Sequence, residues 1–287
     1  MILDLLRRLW RTREVRNGLL FVALMLLIFR VVAHIPLPGV DAAILTAQLQ
    51  GNTFFGLFNV FSGGTLSNFS IAAMGVAPYI TASIVFQLLG MIFPSVEEMQ
   101  KEEQGRKKLT QWSRVATVPL GLIQAYGLIA LLRQQAPTAF EESSVLAVFV
   151  MMVIMTTGSV FLMWLGELMS EKKVGNGMSI LIFAGIIAGL PAFLGQSIAL
   201  YDKSQIVTIV LFLLVALITV IAVVIMNEAQ RRIPVQYSKQ ARGSRLFGAV
   251  TSHIPLKLMM SGVVPVIFAI SVLLFPTTIA QFFVNAR

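Results

Sequence analysis

The 287-residue chain contains no cysteine and two histidines, His34 and His253. It therefore has no disulfide framework, no thiolate nucleophile, no cysteine-based zinc or iron–sulfur site and no histidine-rich metal cage. Charge is also scarce, at 12% of residues, where soluble domains carry roughly one quarter. Inside its apolar stretches the polar inventory reduces to Arg30, Gln87, Gln124, Glu167 and scattered Ser and Thr. No pair of carboxylates and no Asp/His relay falls at bilayer depth, which argues against a proton-coupled carrier. Arg30 and Glu167 lie near the ends of their stretches, where a structural role is favoured. Intramembrane hydrolysis needs a nucleophile with a base in reach, and the two histidines fall in connectors on opposite sides. The GNG of Gly175 to Gly177 lacks the lysine and spacing of a phosphate-binding loop, and reads as a tight turn into the following helix.

What the chain has in excess is apolar surface. Hydrophobic residues make up 57% of it, with 20 Phe and 14 Met, and the mean hydropathy is +0.84. A water-soluble enzyme is excluded, and an integral membrane protein is indicated. Seven apolar stretches are long enough to span, at about Gly18 to Ala33, Phe69 to Phe93, Val115 to Leu132, Ser144 to Met169, Met178 to Leu200, Ile206 to Met226 and Leu258 to Phe283. They do not alternate as barrel strands would, and a lipid-exposed backbone must satisfy its own hydrogen bonds, so they are read as helices. The first stretch has no small-residue cleavage site and is expected to be a retained span rather than a signal peptide.

Lysine and arginine settle the expected orientation. Segments 1–17, 94–114, 170–177 and 227–257 carry 18 of them, and the alternate segments 3. By the positive-inside rule the N-terminus is cytoplasmic. The formal charge of +9 is then first a matter of cytoplasmic loops, and nucleic acid is a secondary idea. The chain stops within four residues of its last apolar run, from which a longer natural chain is expected.

Two connectors stand out. Between the first and second spans lie HIPLPGVD (His34 to Asp41) and a glycine-broken apolar piece, LFNVFSGGTLSNFS (Leu57 to Ser70), too short to span. Such a piece is re-entrant, interfacial or held in a protein-lined cavity; an interfacial loop without a role fits composition equally well. Residues 227–257 carry six basic residues and one acidic residue, and read as a polar, turn-rich loop, either merely solvated or a docking surface for an acidic partner. Pro78 in the second span and Pro265 in the seventh, near Gly75 and Gly262, are expected to kink their helices. The tetrapeptide HIPL at His34 and again at His253 is too short to establish a repeat.

Several segments together resemble the SecY family, the channel-forming subunits of the Sec protein translocon. They are IFRVVAHIPLPGVDAA (Ile28 to Ala43), LFNVFSGGTLSNFSIAAMGVAPYITASIVFQLL (Leu57 to Leu89), FLMWLGELMSEKKVGNGMSILIFAGIIAGLP (Phe161 to Pro191), EAQRRIPVQYSK (Glu228 to Lys239) and SHIPLKLMMSGVVPVIFAISVLLFP (Ser252 to Pro276). The resemblance reads as bacterial. It implies an all-α polytopic fold in which seven helices of a ten-helix inverted-repeat channel are present, spans one to five in residues 1–205 and spans six and seven in 206–287.

The resemblance also assigns roles. A pore ring of aliphatic side chains matches Val76, Ile80, Met178, Ile182 and Ile267. The glycine-broken segment, about residues 56–68, matches the plug, with Phe58, Phe61, Ser62, Gly63, Gly64 and Leu66. Gln87, Gln124, Met259 and Ser271 match the lateral gate, Met259 standing where the family usually has an Asn. Arg231, Arg232, Lys239, Arg242 and Arg245 in the loop 227–257 match the surface that docks the SecA motor or ribosomal RNA. The function implied is a passive conduit in the bacterial plasma membrane, with no cofactor and no enzymatic activity. Secretory polypeptides would pass across it, and membrane segments laterally into the bilayer. The partners implied are SecE, SecG, SecA, the ribosome, signal sequences and nascent polypeptides. A small-solute secondary transporter is the alternative, and it would need a polar midplane site.

Overall fold

The computed structural model describes residues 12–49, 65–66, 69–140, 144–172, 175–199, 206–236, 241–242, 245–246 and 251–257. The chain divides into two compact units, residues 1–195 with 270–287, and residues 196–269. In the first unit the helices are α1 (Arg13–Val32), the short α2 (Ala42–Leu49), α3 (Ala77–Ile92), α4 (Pro94–Lys101), α5 (Glu103–Gln135), α6 (Val145–Glu171) and all but the last four residues of α7 (Gly177–Ala199). Among the described residues, four helices of the chain are long and apolar enough to cross a membrane, and α3 with α4, bent by 114° at their junction, forms a possible fifth span. The helical rather than barrel reading holds for the first six apolar runs, and the seventh, Leu258 to Phe283, lies outside the described residues.

The second span departs from expectation. Residues 71–76 are a run of turns, and α3 begins only at Ala77. Pro78 therefore does not kink the helix. It sits in the first turn, where an N–H has no intrahelical acceptor to lose and the fixed φ of proline favours initiation. Gly75, at φ 58°, supplies the left-handed turn just before it. At the other end Phe93 is extended (φ −107°, ψ 114°), as a residue before proline must be, and Pro94 starts α4 in its new direction. The Gln100 amide then donates to the carbonyls of Phe86 (3.3 Å) and Gln87 (3.4 Å), lying across Gly90, where any Cβ would collide with it. This clasp folds α4 back along α3.

Helix α5 has 33 residues, about 50 Å at 1.5 Å per residue. It is longer than the roughly 30 Å core of a bilayer, and the apolar stretch Val115 to Leu132 is only its C-terminal part. Gly105, Leu109, Ser113, Thr117, Gly121, Ala125 and Ile129 are all buried on it, a strict stride of four. Mostly small side chains let neighbouring helices approach, which is how helices associate where lipid leaves little hydrophobic drive. At Gly121 an added Cβ would lie 2.8 Å from the Thr156 methyl of α6. The buried hydroxyls of Ser113, Thr117 and Thr156 donate to the carbonyls four residues back (2.9, 2.7 and 2.8 Å), so they cost no unmet hydrogen bond.

Two apolar clusters form the interior. One gathers Leu37, Leu45, Leu66, Phe69, Met74, Ile129, Leu132, Phe140 and Met155; the other gathers Val22, Met25, Phe29, Val76, Leu162, Leu165, Met169 and Leu181. Phe69, with φ 39°, is a bulky residue in the left-handed region, a conformation that costs about 1–3 kcal/mol. It is held by an edge-to-face contact with Phe140 at 6.5 Å and by Leu37 N–H donating to its carbonyl at 2.9 Å. Outside the clusters the helices are apolar as well: Leu20, Leu24, Leu27 and Val31 of α1 are all exposed, as a lipid-facing stripe requires.

Glu167 has the structural role expected of it. Its Oε1 accepts from Arg114 Nε at 2.6 Å, with the Glu side chain 20% and the Arg side chain 45% exposed, joining α5 to α6. Because the arginine is half in solvent, the pair is screened. Glu167→Gln is expected to cost about 1 kcal/mol, at the upper end for solvent-screened ion pairs, read as a lower melting midpoint in detergent that falls further with Arg114→Glu.

The second unit contains α8 (Ile206–Glu228), apolar around its whole circumference, and four strands: β1 (Gln230–Gln236), β2 (Ala241–Arg242), β3 (Arg245–Leu246) and β4 (Thr251–Lys257). β1 pairs antiparallel with β4, and β2 with β3. The expected turn-rich loop is thus a β-ribbon within a mostly helical chain. A two-stranded ribbon has an outer edge on each strand, so Pro234 and Pro255 can be accommodated without breaking a central ladder.

Candidate functional site

Four of the five expected ring residues come together. Val76 caps α3 and Ile80 lies one turn later, with Ile80 N–H donating to the Val76 carbonyl at 3.1 Å. Met178 and Ile182 stand one turn apart at the start of α7. Val76 is buried, at 6% exposure, and Ile80, Met178 and Ile182 pack half-buried against the cluster of Val22, Met25, Leu162, Leu165 and Leu181. Ile267 lies outside the described residues. Side chains at i and i+4 share a helix face, so each helix contributes a pair. The four side chains carry no strong hydrogen-bonding group.

The turn into α7 is as the GNG motif suggests. Asn176 Oδ1 accepts from the N–H groups of Met178 (3.0 Å) and Ser179 (3.3 Å), an N-cap that satisfies two donors otherwise orphaned at a helix start. Gly175 takes φ 152°.

Of the plug residues, Phe58, Phe61, Ser62, Gly63 and Gly64 lie outside the described residues. Leu66 is 3% exposed and belongs to the cluster of Leu37, Phe69 and Phe140. Thr65 beside it is also buried, and its hydroxyl donates to the Ala73 carbonyl at 3.5 Å.

Of the residues expected at the gate, Gln87 and Gln124 lie among the described residues, and each has its own surroundings. Gln124 of α5 donates to Thr81 Oγ1 of α3 at 3.3 Å, and Thr81 donates onward to the Ala77 carbonyl at 3.0 Å. Gln87 is exposed, and Met259 and Ser271 lie outside the described residues. Sequence reasoning missed Thr81 as the partner of Gln124, and Gln100 as the clasp on α3. Neither carries a local signal beyond being a polar residue facing an apolar helix.

The basic residues spread along the ribbon. Arg231 and Arg232 occupy adjacent positions of β1, opposite Leu256 and Pro255, and so point to opposite faces. One face carries Arg231, Ile233 and Val235 opposite Leu256, Ile254 and Ser252; the other carries Arg232 and Pro234 opposite Pro255 and His253, with Lys257 opposite Gln230. Arg242 and Arg245 pair across β2 and β3, and Lys239 lies outside the described residues. On α4, the exposed Glu97 and Lys101 form an i,i+4 pair at 2.7 Å. Its hydrogen bond and charge hold the Glu97 carboxyl below the usual range and raise the Lys101 ammonium.

Comparison with known proteins follows this geometry. The SecY family profile matches residues 70–287. The chain is 43% identical over 275 residues to the protein translocase subunit SecY of Vibrio cholerae, covering 94% of this chain and 62% of the relative. It is 43% identical over 284 residues to that of Halalkalibacterium halodurans (96% and 66%) and 42% identical over 277 residues to that of Escherichia coli K12 (94% and 62%). The chain thus spans just under two thirds of the length of these relatives. Among solved structures, a protein-conducting channel is similar with a TM-score of 0.59 at 21% identity, covering 91% of this chain and 58% of that one. Sec61 in a canine ribosome–channel complex is similar with a TM-score of 0.58 at 21% identity and the same coverage. At such identity these two establish the fold, while the bacterial relatives and the profile establish descent. A multi-pass membrane chain with this helix order, this profile match and these identities belongs to the SecY family.

Proposed function

We propose that the chain is the central part of a protein-conducting channel. Unfolded secretory polypeptides pass through it, and membrane segments leave it sideways into lipid. The observation that carries this reading is the gathering of Val76, Ile80, Met178 and Ile182, from two helices distant in sequence, into one apolar cluster. Apolar side chains of this kind accommodate an extended polypeptide of any sequence and still present ions with an unfavourable path.

In this reading residues 1–205 supply the first half of the channel and 206–287 part of the second. The segment around residues 56–68 is the plug, and α3 with α5 contributes to the lateral gate through Gln87 and the Gln124–Thr81 bond. The ribbon bearing Arg231, Arg232, Arg242 and Arg245 docks the cytoplasmic partner, SecA or the ribosome, which supplies the energy. SecE and SecG accompany the chain in the bacterial plasma membrane, and its N-terminus is cytoplasmic, in keeping with the lysine and arginine distribution. The chain itself is a conduit and performs no reaction.

Because the sequence has no cysteine, single cysteines report cleanly. A secretory polypeptide arrested in transit through the assembled complex is expected to form disulfide crosslinks to Ile80→Cys and Met178→Cys, and none to Leu24→Cys on the exposed face of α1. Crosslinking at Leu24 alone, or at none of the three, overturns the assignment of the ring.

A further inference from the structure

The junction of α6 and α7 contains two facing glycines with different work to do. Gly177 opens α7 directly against Gly166 of α6: a Cβ at Gly177 would fall on the Gly166 carbonyl oxygen and lie 2.8 Å from Met169 Cβ. Ser170 ties the approach together. Its hydroxyl donates to the Gly166 carbonyl at 3.0 Å and accepts from the Gly177 N–H at 2.9 Å. With Asn176 capping the first turn, the start of α7 is fixed against α6 through backbone atoms.

Gly166 has a second neighbour. A Cβ there would lie 2.6 Å from Met178 Sδ, 3.1 Å from Met178 Cε and 3.3 Å from Leu181 Cδ1. The Met178 thioether therefore rests in the space that the missing side chain of Gly166 leaves. Leu181 and Met169 beside it are 3% and 0% exposed, so no comparable space is open on their side.

We propose that Gly166 is a positioning residue for the pore ring: its bare backbone is the socket that seats the Met178 side chain, while Ser170 and Asn176 hold α7 at the depth that aligns it. This inference rests on the reading of Met178 as a ring residue. The chemistry of the two clashes separates the two glycines. At Gly177 an added methyl meets a backbone carbonyl, which cannot move without opening the helix pair. At Gly166 it meets the far end of an unbranched, flexible thioether, which can change rotamer. Gly166→Ala is thus expected to leave the helices packed and to unseat Met178.

The test is ion leak through the resting complex in proteoliposomes at matched protein content, combined with a size-compensation cycle. Gly166→Ala is expected to raise the leak by roughly threefold or more, about the effect of a small change in barrier. Combining it with Met178→Val, which removes Sδ and Cε, is expected to bring the leak down toward that of Met178→Val alone, a coupling that independent sites would not show. A glycine needed only for helix packing would not be rescued by trimming residue 178. Equal leak in Gly166→Ala and the parent, or a double variant as leaky as Gly166→Ala, overturns the socket. If Gly166→Ala does not accumulate in folded form, recovery of folded protein in the double variant supports the inference and its absence overturns it. Failure of the crosslink at Met178→Cys removes Met178 from the ring and sinks the socket with it; a positive crosslink without leak coupling sinks the socket alone.

Discussion

Gly158→Leu is expected to abolish accumulation of the folded protein. Gly158 lies mid-way along α6, where the turns that precede α3 cross it, and a Cβ at that position would fall on the carbonyl oxygen of Ile71 and 3.2 Å from the N–H nitrogen of Ala72. Ala72 is fully buried and Ile71 N–H donates to the Ile35 carbonyl at 3.0 Å, so this stretch of backbone is pinned from both sides. Overpacking a core usually costs about 1–3 kcal/mol because side chains can adjust. Here the obstacle is main chain, and the cost is expected to reach about 4 kcal/mol or more, in the range reserved for a few named mechanisms. Gly189→Ala is the matched control, since nothing lies within 4 Å of a Cβ there and alanine is the better helix former by roughly 0.5–1 kcal/mol. The measurement is the monodisperse fraction of each variant after detergent extraction at equal synthesis. Gly158→Leu at parental levels would mean that α6 and the 71–76 turns are not in contact in the membrane.

The same contact explains what hydropathy could and could not reveal. Phe69 to Phe93 is one continuous apolar run, and a window of transfer energies reads it as one span. That α3 starts only at Ala77 depends on Gly75 adopting a left-handed φ and on Pro78 taking a first-turn position, both local rules that were legible had they been weighed above hydropathy. The ends of α1, α6 and α7 lie within a few residues of the apolar runs because nothing there competes with helix formation. The ribbon was hidden for another reason. QRRIPVQ and TSHIPLK each contain a proline, and their pairing joins residues about 20 positions apart, which no local pattern records. Within the site, Asn176 was readable as a turn residue. The ring positions were not, since an apolar residue in an apolar helix carries no mark of facing a pore; they came from family resemblance. The seating of Met178 on Gly166 is a tertiary contact between helices and has no sequence signature at all.

On the proposed reading of Ile80 as a ring residue, Ile80→Asn is expected to turn the closed channel into an ion leak. Ile80 lies one turn into α3, half-buried beside Val76 in the cluster with Val22, Met25 and Leu165, and its neighbours offer water nothing to bind. A ring of this kind blocks ions because a hydrated ion would have to shed water without replacement ligands. One amide supplies two N–H donors and two acceptor lone pairs at that level, and lowering the barrier by about 1.4 kcal/mol is a tenfold rise in flux. The amide also carries a stability cost, roughly 1–3 kcal/mol if it is left unsatisfied, so leak is normalised to folded protein. Ile80→Leu keeps the volume and the absence of polar atoms, and is expected to stay within about twofold of the parent, since a volume-conserving apolar exchange perturbs packing little. Proteoliposome ion flux separates the two explanations. If both variants leak alike, the barrier depends on the shape of the packing. If only Ile80→Asn leaks, the barrier is the missing hydrogen bond itself, and the same apolar surface that excludes ions is what lets a chain of any sequence slide past.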